Sequence, residues 1–170
     1  MINLYEAHKN FPNLSKQLVC KDLMFTQYDC PQVTTTQDFF LHTNLIVYVL
    51  SGRRVFIKNR KRSELSEGTC ALVKKGAHIS EIDEHLGWCV MTFFIPDEFF
   101  KHLIRDNLTN LPLTNLPEAG NDDVLLLEVN ELSKSFFVSM LPYFTQMPPP
   151  PENLLELKFK ELILTLLSHK

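Results

Sequence analysis

Along the first two thirds of the chain, apolar residues come in short bursts separated by turn residues. Turn signals fall at Ser51-Gly52, Asn59-Arg60, Glu67-Gly68, Lys75-Gly76 and Leu86-Gly87. Steps of about 7 to 11 residues between turns are the rhythm of an all-β sandwich or barrel. The segments Leu18–Tyr28, Phe39–His42, Leu45–Ser51, Arg54–Lys58, Cys70–Val73, Ile79–Asp83 and Trp88–Phe94 are rich in Val, Ile, Phe, Tyr and Thr. Such residues suit a pleated, half-buried surface, so each segment is expected as a strand. The run Leu45–Leu50 is apolar at every position and reads as a central strand covered on both faces.

The last third changes period. Pro96-Asp97-Glu98 ahead of Phe99, Leu103 and Ile104 predicts a short helix over 97–106, with acids at the positive end of its dipole. Asn107–Asp123, rich in Asn, Thr and Asp, reads as a loop, and Val124–Val129 as a short strand or helix. Leu132, Phe136, Phe137, Met140, Leu141 and Phe144 recur at helical spacing over Asn130–Gln146, with Pro142 loosening the last turn. Pro148–Pro151 breaks that helix, and Asn153-x-x-Glu156 has the form of a capping box opening a second helix to about His169. Two helices joined by so short a connector predict an antiparallel hairpin. The final helix is apolar on more than one side. Leu155, Phe159, Leu162 and Leu166 form one stripe, while Leu154, Leu157 and Leu164 lie off it. The excess has two readings: deep burial between the first helix and the sheet, or a homodimer interface through Leu154, Leu155, Leu157, Phe159, Leu162 and Leu166.

Composition narrows the function classes. With 170 residues, 45% hydrophobic and 22% charged, the chain is long enough for a core of its own and too apolar for a disordered tail. A net charge of −3 argues against a free-standing nucleic-acid binder. Cys20, Cys30, Cys70 and Cys89 contain no C-x-x-C pair, so they are expected as small buried hydrophobes in a reducing, cytoplasmic setting. The amino terminus MINLYEAHKN lacks a signal peptide's apolar run, and Leu45–Leu50 is far short of the roughly 20 residues that span a bilayer, so no membrane partner is expected.

Three stretches carry a family resemblance. They are Phe40-Leu41-His42-Thr43-Asn44 leading into LIVYVLSG, then Glu67–His78 with its Gly-Thr-Cys and Lys-Lys-Gly-Ala-His, and finally Glu156-Leu157-Lys158-Phe159-Lys160-Glu161-Leu162-Ile163-Leu164. In this order the chain resembles the N-terminal regulatory domain of the AraC/XylS family of bacterial transcription regulators, closest to the subgroup of type III secretion activators. The resemblance spans most of residues 18–168. It implies a mainly β fold with C-terminal helices: a cupin-like (jelly-roll) β-barrel over 1–125, then an α-helical hairpin over 126–170 for dimerisation and linkage. It also implies a DNA-binding helix-turn-helix domain that would follow Lys170 and is absent from this chain, so DNA would be met only through that part. The implied function is ligand or partner sensing and dimerisation, without catalysis. The effector would be a small molecule or a protein regulator.

The barrel motifs raise the question of a metal. Metal cupins converge a His-x-His pair, a carboxylate and a later His inside the barrel. Here the pair is His42-x-Asn44, and no carboxylate follows on its face. His78 stands near the later ligand's place but one residue out of step. No metal or cofactor is therefore expected. The competing reading, a small metal-dependent cupin isomerase or oxygenase, would use His42 and His78, and a third is a stand-alone regulatory interaction protein. Parity with His42 places Asn44, Ile46, Tyr48 and Leu50 on one face, read with His78 either as a ligand-binding barrel interior or as the core of a filled barrel. Arg53, Arg54, Lys58, Arg60, Lys61 and Arg62 read as the solvated rim of a hairpin. Glu81, Asp83 and His85 read as solvent-facing.

Overall fold

The computed structural model describes residues 1–30, 36–83, 85–107 and 121–168. Its strands are β1 (Ile2–Asn3), β2 (Lys16–Cys20), β3 (Leu23–Cys30), β4 (Thr36–Leu41), β5 (Asn44–Lys58), β6 (Lys61–Ser66), β7 (Cys70–Val73), β8 (Gly76–Ile82), β9 (Trp88–Ile95) and β10 (Val124–Leu127). The helices are α1 (Leu4–Asn10), α2 (Asp97–Asp106), α3 (Glu131–Met140) and α4 (Glu152–Leu167), with a 3-10 turn over Leu141–Phe144. No described helix is long and apolar enough to cross a membrane.

One strand organises the sheet. The first half of β5 pairs with β7 and β9, and its second half pairs with β6 and β8. The strands thus form two faces of a curled, cupin-like barrel, ordered β10-β7-β5-β9-β3-β2 on one side and β1-β4-β8-β5-β6 on the other. The sequence suggests a turn at Ser51-Gly52, yet β5 runs through it as a single strand of 15 residues. A register shift between Val49 and Ser51 bends the strand there. Gly52 makes the bend feasible. Its φ is +89°, and a Cβ on it would lie 2.1 Å from the Gly87 carbonyl oxygen.

Two apolar cores lie on opposite faces of the β5–β9 layer. Inside the barrel, Met24, Leu45, Val47, Val49, Trp88 and Phe94 pack together. Outside it, Phe25, Met91 and Phe93 meet Phe136, Phe137 and Phe159 from the helices. This second core explains the apolar run of β5 and the aromatic-rich helical hairpin.

Three further boundaries differ from expectation. The segment Leu18–Tyr28 is a hairpin of β2 and β3, turned at Lys21 with a left-handed φ of 53°. Asn153 does not cap α4. The cap is Pro151, two residues earlier, and the helix starts at Glu152; a capping box is formed instead by Asn130 and Ser133 at the start of α3. The N-terminal helix α1 was not legible as one. It has only seven residues, and Asn3 caps it by accepting from the Glu6 amide. The expected helix over 97–106 and the strand in 124–129 are present. Of the expected loop Asn107–Asp123, residues 108–120 lie outside those described, as does His169 at the expected end of α4.

Helix α1 is fixed by His8, whose Nδ1 lies 2.7 Å from the Ser15 hydroxyl, while Gln17 donates to the His8 carbonyl. The imidazole stands edge-on to Tyr28 and Phe94, and burial pulls its pKa down from 6.5 to about 4.

Two outcomes follow. Gly52→Ala is expected to cost several kcal/mol, about 2 or more from the steric and left-handed strain together, read as a lower denaturant midpoint with an unchanged slope. Because His8 is neutral when folded and protonates more easily when unfolded, its contribution is full above pH 6.5 and declines as pH falls toward 4. Burial also lowers the pKa of His78 and acts in the same direction. The variant His8→Gln should therefore lose less stability between pH 6.5 and 4 than the parent, measured by urea unfolding at each pH.

Candidate functional site

Alternation along β5 holds, but the two faces are the reverse of the expected ones. Leu45 and Val47 point into the barrel, whereas Ile46, Tyr48 and Leu50 point out to the helices. Tyr48 lies flat on Phe137 of α3, with ring centroids 3.9 Å apart and planes 5° from parallel. The outer side of this sheet carries the larger aromatic surface, so Tyr48 finds more apolar contact there than in the barrel.

The remaining expected site residues are dispersed. His42 is exposed at the barrel's edge, its Nδ1 3.2 Å from the Asn3 amide, with Tyr5 edge-on to the ring. The Asn44 side chain accepts from the Lys75 backbone at 2.9 Å. His78 is buried and stacked on Phe39. Its Nε2 donates to the Lys74 carbonyl at 2.7 Å, which leaves Nδ1 as the unprotonated nitrogen. His42 and His78 therefore do separate structural work. Among the described residues no group of three His, Cys, Asp or Glu side chains is arranged to hold a metal.

Inside the barrel lies a cavity of about 320 Å³, and a wider cleft of about 550 Å³ runs outside it between the β2–β3 turn, α2 and α4. Leu45 and Val47 form one wall of the cavity, Trp88 and Val90 another, and Phe39 and Phe56 a third. The N-terminal segment lines it with Ile2, Leu4, Ala7, His8, Phe11 and Leu14. Its polar groups are few: Tyr28, Gln37, Thr92, His8 and Arg54. Thr92 is engaged with Thr26 through their hydroxyls. Arg54 is 7% exposed, and its guanidinium carbon stands 4.9 Å from the centre of the Trp88 ring. No carboxylate is among the described lining residues, and Arg54 is the cationic side chain among them.

Arg54 was expected among the solvated rim charges. It points inward because the register shift in β5 inverts side-chain parity, so even positions face the barrel after the bend. The alternation Arg54-x-Phe56 beyond a Ser-Gly pair is the signal that marks it. The other hairpin cations behave as a rim. Arg53 pairs with Glu64 at 2.7 Å, Lys58 with Asp123 at 2.7 Å and Lys61 with Asp122. Arg62 pairs with Glu81 at 2.5 Å, which engages one of the carboxylates in the Glu81, Asp83 and His85 set.

The helical hairpin spends most of its expected dimer stripe internally. Leu155, Phe159 and Leu162 are buried against the sheet, and Phe159 stacks on Phe25 at 5.5 Å while meeting Phe99 edge-on. Leu154 and Leu166 are half-buried. Leu157 alone of the six is well exposed, at 60%, and Val138 on α3 is exposed at 65%.

Comparison with known proteins accords with this architecture. The family model of the ExsA N-terminal regulatory domain matches residues 44–170. No curated protein matches the chain significantly in sequence. Among solved structures, ToxT from Vibrio cholerae superposes with a TM-score of 0.55 at 15% identity, covering 86% of this chain and 56% of ToxT. ToxT with a bound unsaturated fatty acid gives 0.53 at 14%, covering 88% and 56%. The AraC-like transcriptional activator CuxR gives 0.56 at 14%, covering 91% and 55%. The chain thus spans a little over half the length of these proteins, and at such identities the likeness is one of fold. The match to the family model covers most of the sequence, and the chain belongs to the ExsA N-terminal regulatory domain family.

Proposed function

We propose that this domain is the sensing and self-associating part of a cytoplasmic AraC-type transcription regulator, acting by binding and not by catalysis. In this reading the barrel cavity takes a small amphipathic carboxylate, and the DNA-reading work belongs to another part of the regulator. The observation that carries the proposal is the cavity itself. It is apolar on nearly every side and includes the buried Arg54 in its lining. Its volume of about 320 Å³ is at the lower end of small-molecule sites. An acyl chain would displace no ordered polar contact along Leu45, Val47 and Val90, and a carboxylate would be favoured beside Arg54. ToxT, which shares the fold, is described with an unsaturated fatty acid bound.

The expected binding residues change accordingly. Arg54, Trp88 and Val47 replace Ile46, Tyr48 and Leu50, whose side chains are committed to the helices. Self-association is assigned to the outward faces of α3 and α4, where Val138 and Leu157 remain exposed.

Trp88 is the chain's one tryptophan, so its emission reports on the cavity directly. Titration with a C16 cis-unsaturated fatty acid is expected to shift that emission saturably. Arg54→Met should weaken binding by about tenfold or more, the loss of one charge-assisted hydrogen bond. A Trp88 signal indifferent to the fatty acid, or equal affinity in Arg54→Met, would sink the cavity assignment.

For self-association, sedimentation of the parent should show a dimer. Val138→Lys and Leu157→Lys should give folded monomers with little change in melting temperature. Leu162→Lys should instead abolish folding, because it places a charge in the fully buried core. A monomeric parent at high concentration removes the self-association assignment and leaves the cavity untouched.

A further inference from the structure

Among the described residues, strand β10 is an edge of the barrel sheet with one side unpaired. Among the described residues it pairs with β7 alone, in the register Val124↔Val73 through Leu127↔Cys70. The Lys74 amide donates to the Asp123 carbonyl at 2.8 Å, which fixes the phase of the antiparallel ladder. Bonded and non-bonded pairs alternate, so Leu125 and Leu127 bond to β7. The N–H and C=O groups of Val124 and Leu126 consequently point away from the sheet.

Edge strands are normally guarded by a charge, a proline or a bulge. Val124–Leu127 has none of these, and Leu126 is 65% exposed. The charge around the strand is mostly settled, since Lys58 and Lys61 neutralise Asp123 and Asp122. Glu128 is different. It is exposed, it follows directly on the last residue of β10, and it has no ion-pair partner among the described residues; an extended backbone through it would set it on the face of Val124 and Leu126.

We propose that the open edge of β10 docks an extended segment of a protein partner with the pattern basic–x–apolar–x–apolar. Running antiparallel, that segment sets its basic residue opposite Glu128 and its apolar residues opposite Leu126 and Val124. The backbone groups of Leu126 and Val124 supply the hydrogen bonds, and the three facing side chains supply selectivity. A second copy of the chain is a poor occupant, because residues 121–133 contain no Lys or Arg to oppose Glu128. This docking surface is independent of the barrel cavity.

The test uses the ¹⁵N-labelled domain and a synthetic capped peptide, Lys-Thr-Val-Thr-Val-Thr. In the free domain, the Leu126 amide should exchange with solvent far faster than that of Leu125. The peptide should shift the Leu126 and Val124 amide signals and slow their exchange. Replacing its lysine by glutamate should weaken binding by about fivefold, as expected for one cross-strand charge pair. Leu126→Pro removes the outward N–H without touching a bond to β7, so it should abolish binding while the circular dichroism stays unchanged. If that variant fails to fold, Leu126→Lys, which guards the edge with a charge, should abolish binding instead. Equal protection of Leu126 and Leu125 in the free domain overturns the proposal. So does peptide binding that survives both substitutions, or a domain dimer that Leu126→Lys dissociates.

Discussion

The structure depends on one sheet being buried from both sides. The layer containing the first half of β5 and all of β9 has the barrel interior on one face and the helical hairpin on the other. Each of its residues is committed by parity: Val47 and Val90 to the barrel, Tyr48 and Phe93 to the helices. A one-residue slip in β5 would exchange the two faces and place Tyr48 where the cavity is. Burial on both sides makes that slip costly, which is why β5 tolerates its long run and its sharp bend at Gly52. Without the hairpin, the outer faces of Phe25 and Phe93 would be exposed to water. Without the barrel, Phe136, Phe137 and Phe159 would lack a floor.

This double burial separates what could be read in the amino-acid order from what could not. The strands were legible because turn residues recur at regular intervals, and the hairpin because Phe136, Phe137 and Met140 recur at helical spacing. Family membership was legible through three motifs in order. The direction of each face was not. A strand apolar at every position, such as Leu45–Leu50, gives no contrast by which inside and outside can be told apart. Taking His42 as the inward reference inverted the assignment, since His42 lies at the open edge beside Asn3 and Tyr5. The register shift at Val49 and Ser51 then hid Arg54, because parity counted through a bulge points a side chain to the wrong side. The hairpin shows the same limit. Leu155, Phe159 and Leu162 announce a buried face, but spacing alone cannot say whether the burying surface is the protein's own sheet or a second copy.

The cavity and the hairpin are therefore neighbours across a single backbone layer and not separate devices. Val47 borders the cavity and Tyr48, next in sequence, is stacked on Phe137 at 3.9 Å. Close packing leaves little slack on the helical side. A small molecule occupying the barrel acts on the hairpin only through a difference in its affinity for two arrangements of that layer. Six of the cavity's lining residues come from the first fourteen positions, so its shape depends on the seating of α1, which the contact of His8 with Ser15 helps to fix. This segment is held by one short helix and a two-residue strand, whereas the layer beneath it is held from both faces. The amino terminus is accordingly the less firmly held wall of the cavity, and the doubly buried sheet is the frame on which both the cavity and the hairpin are built.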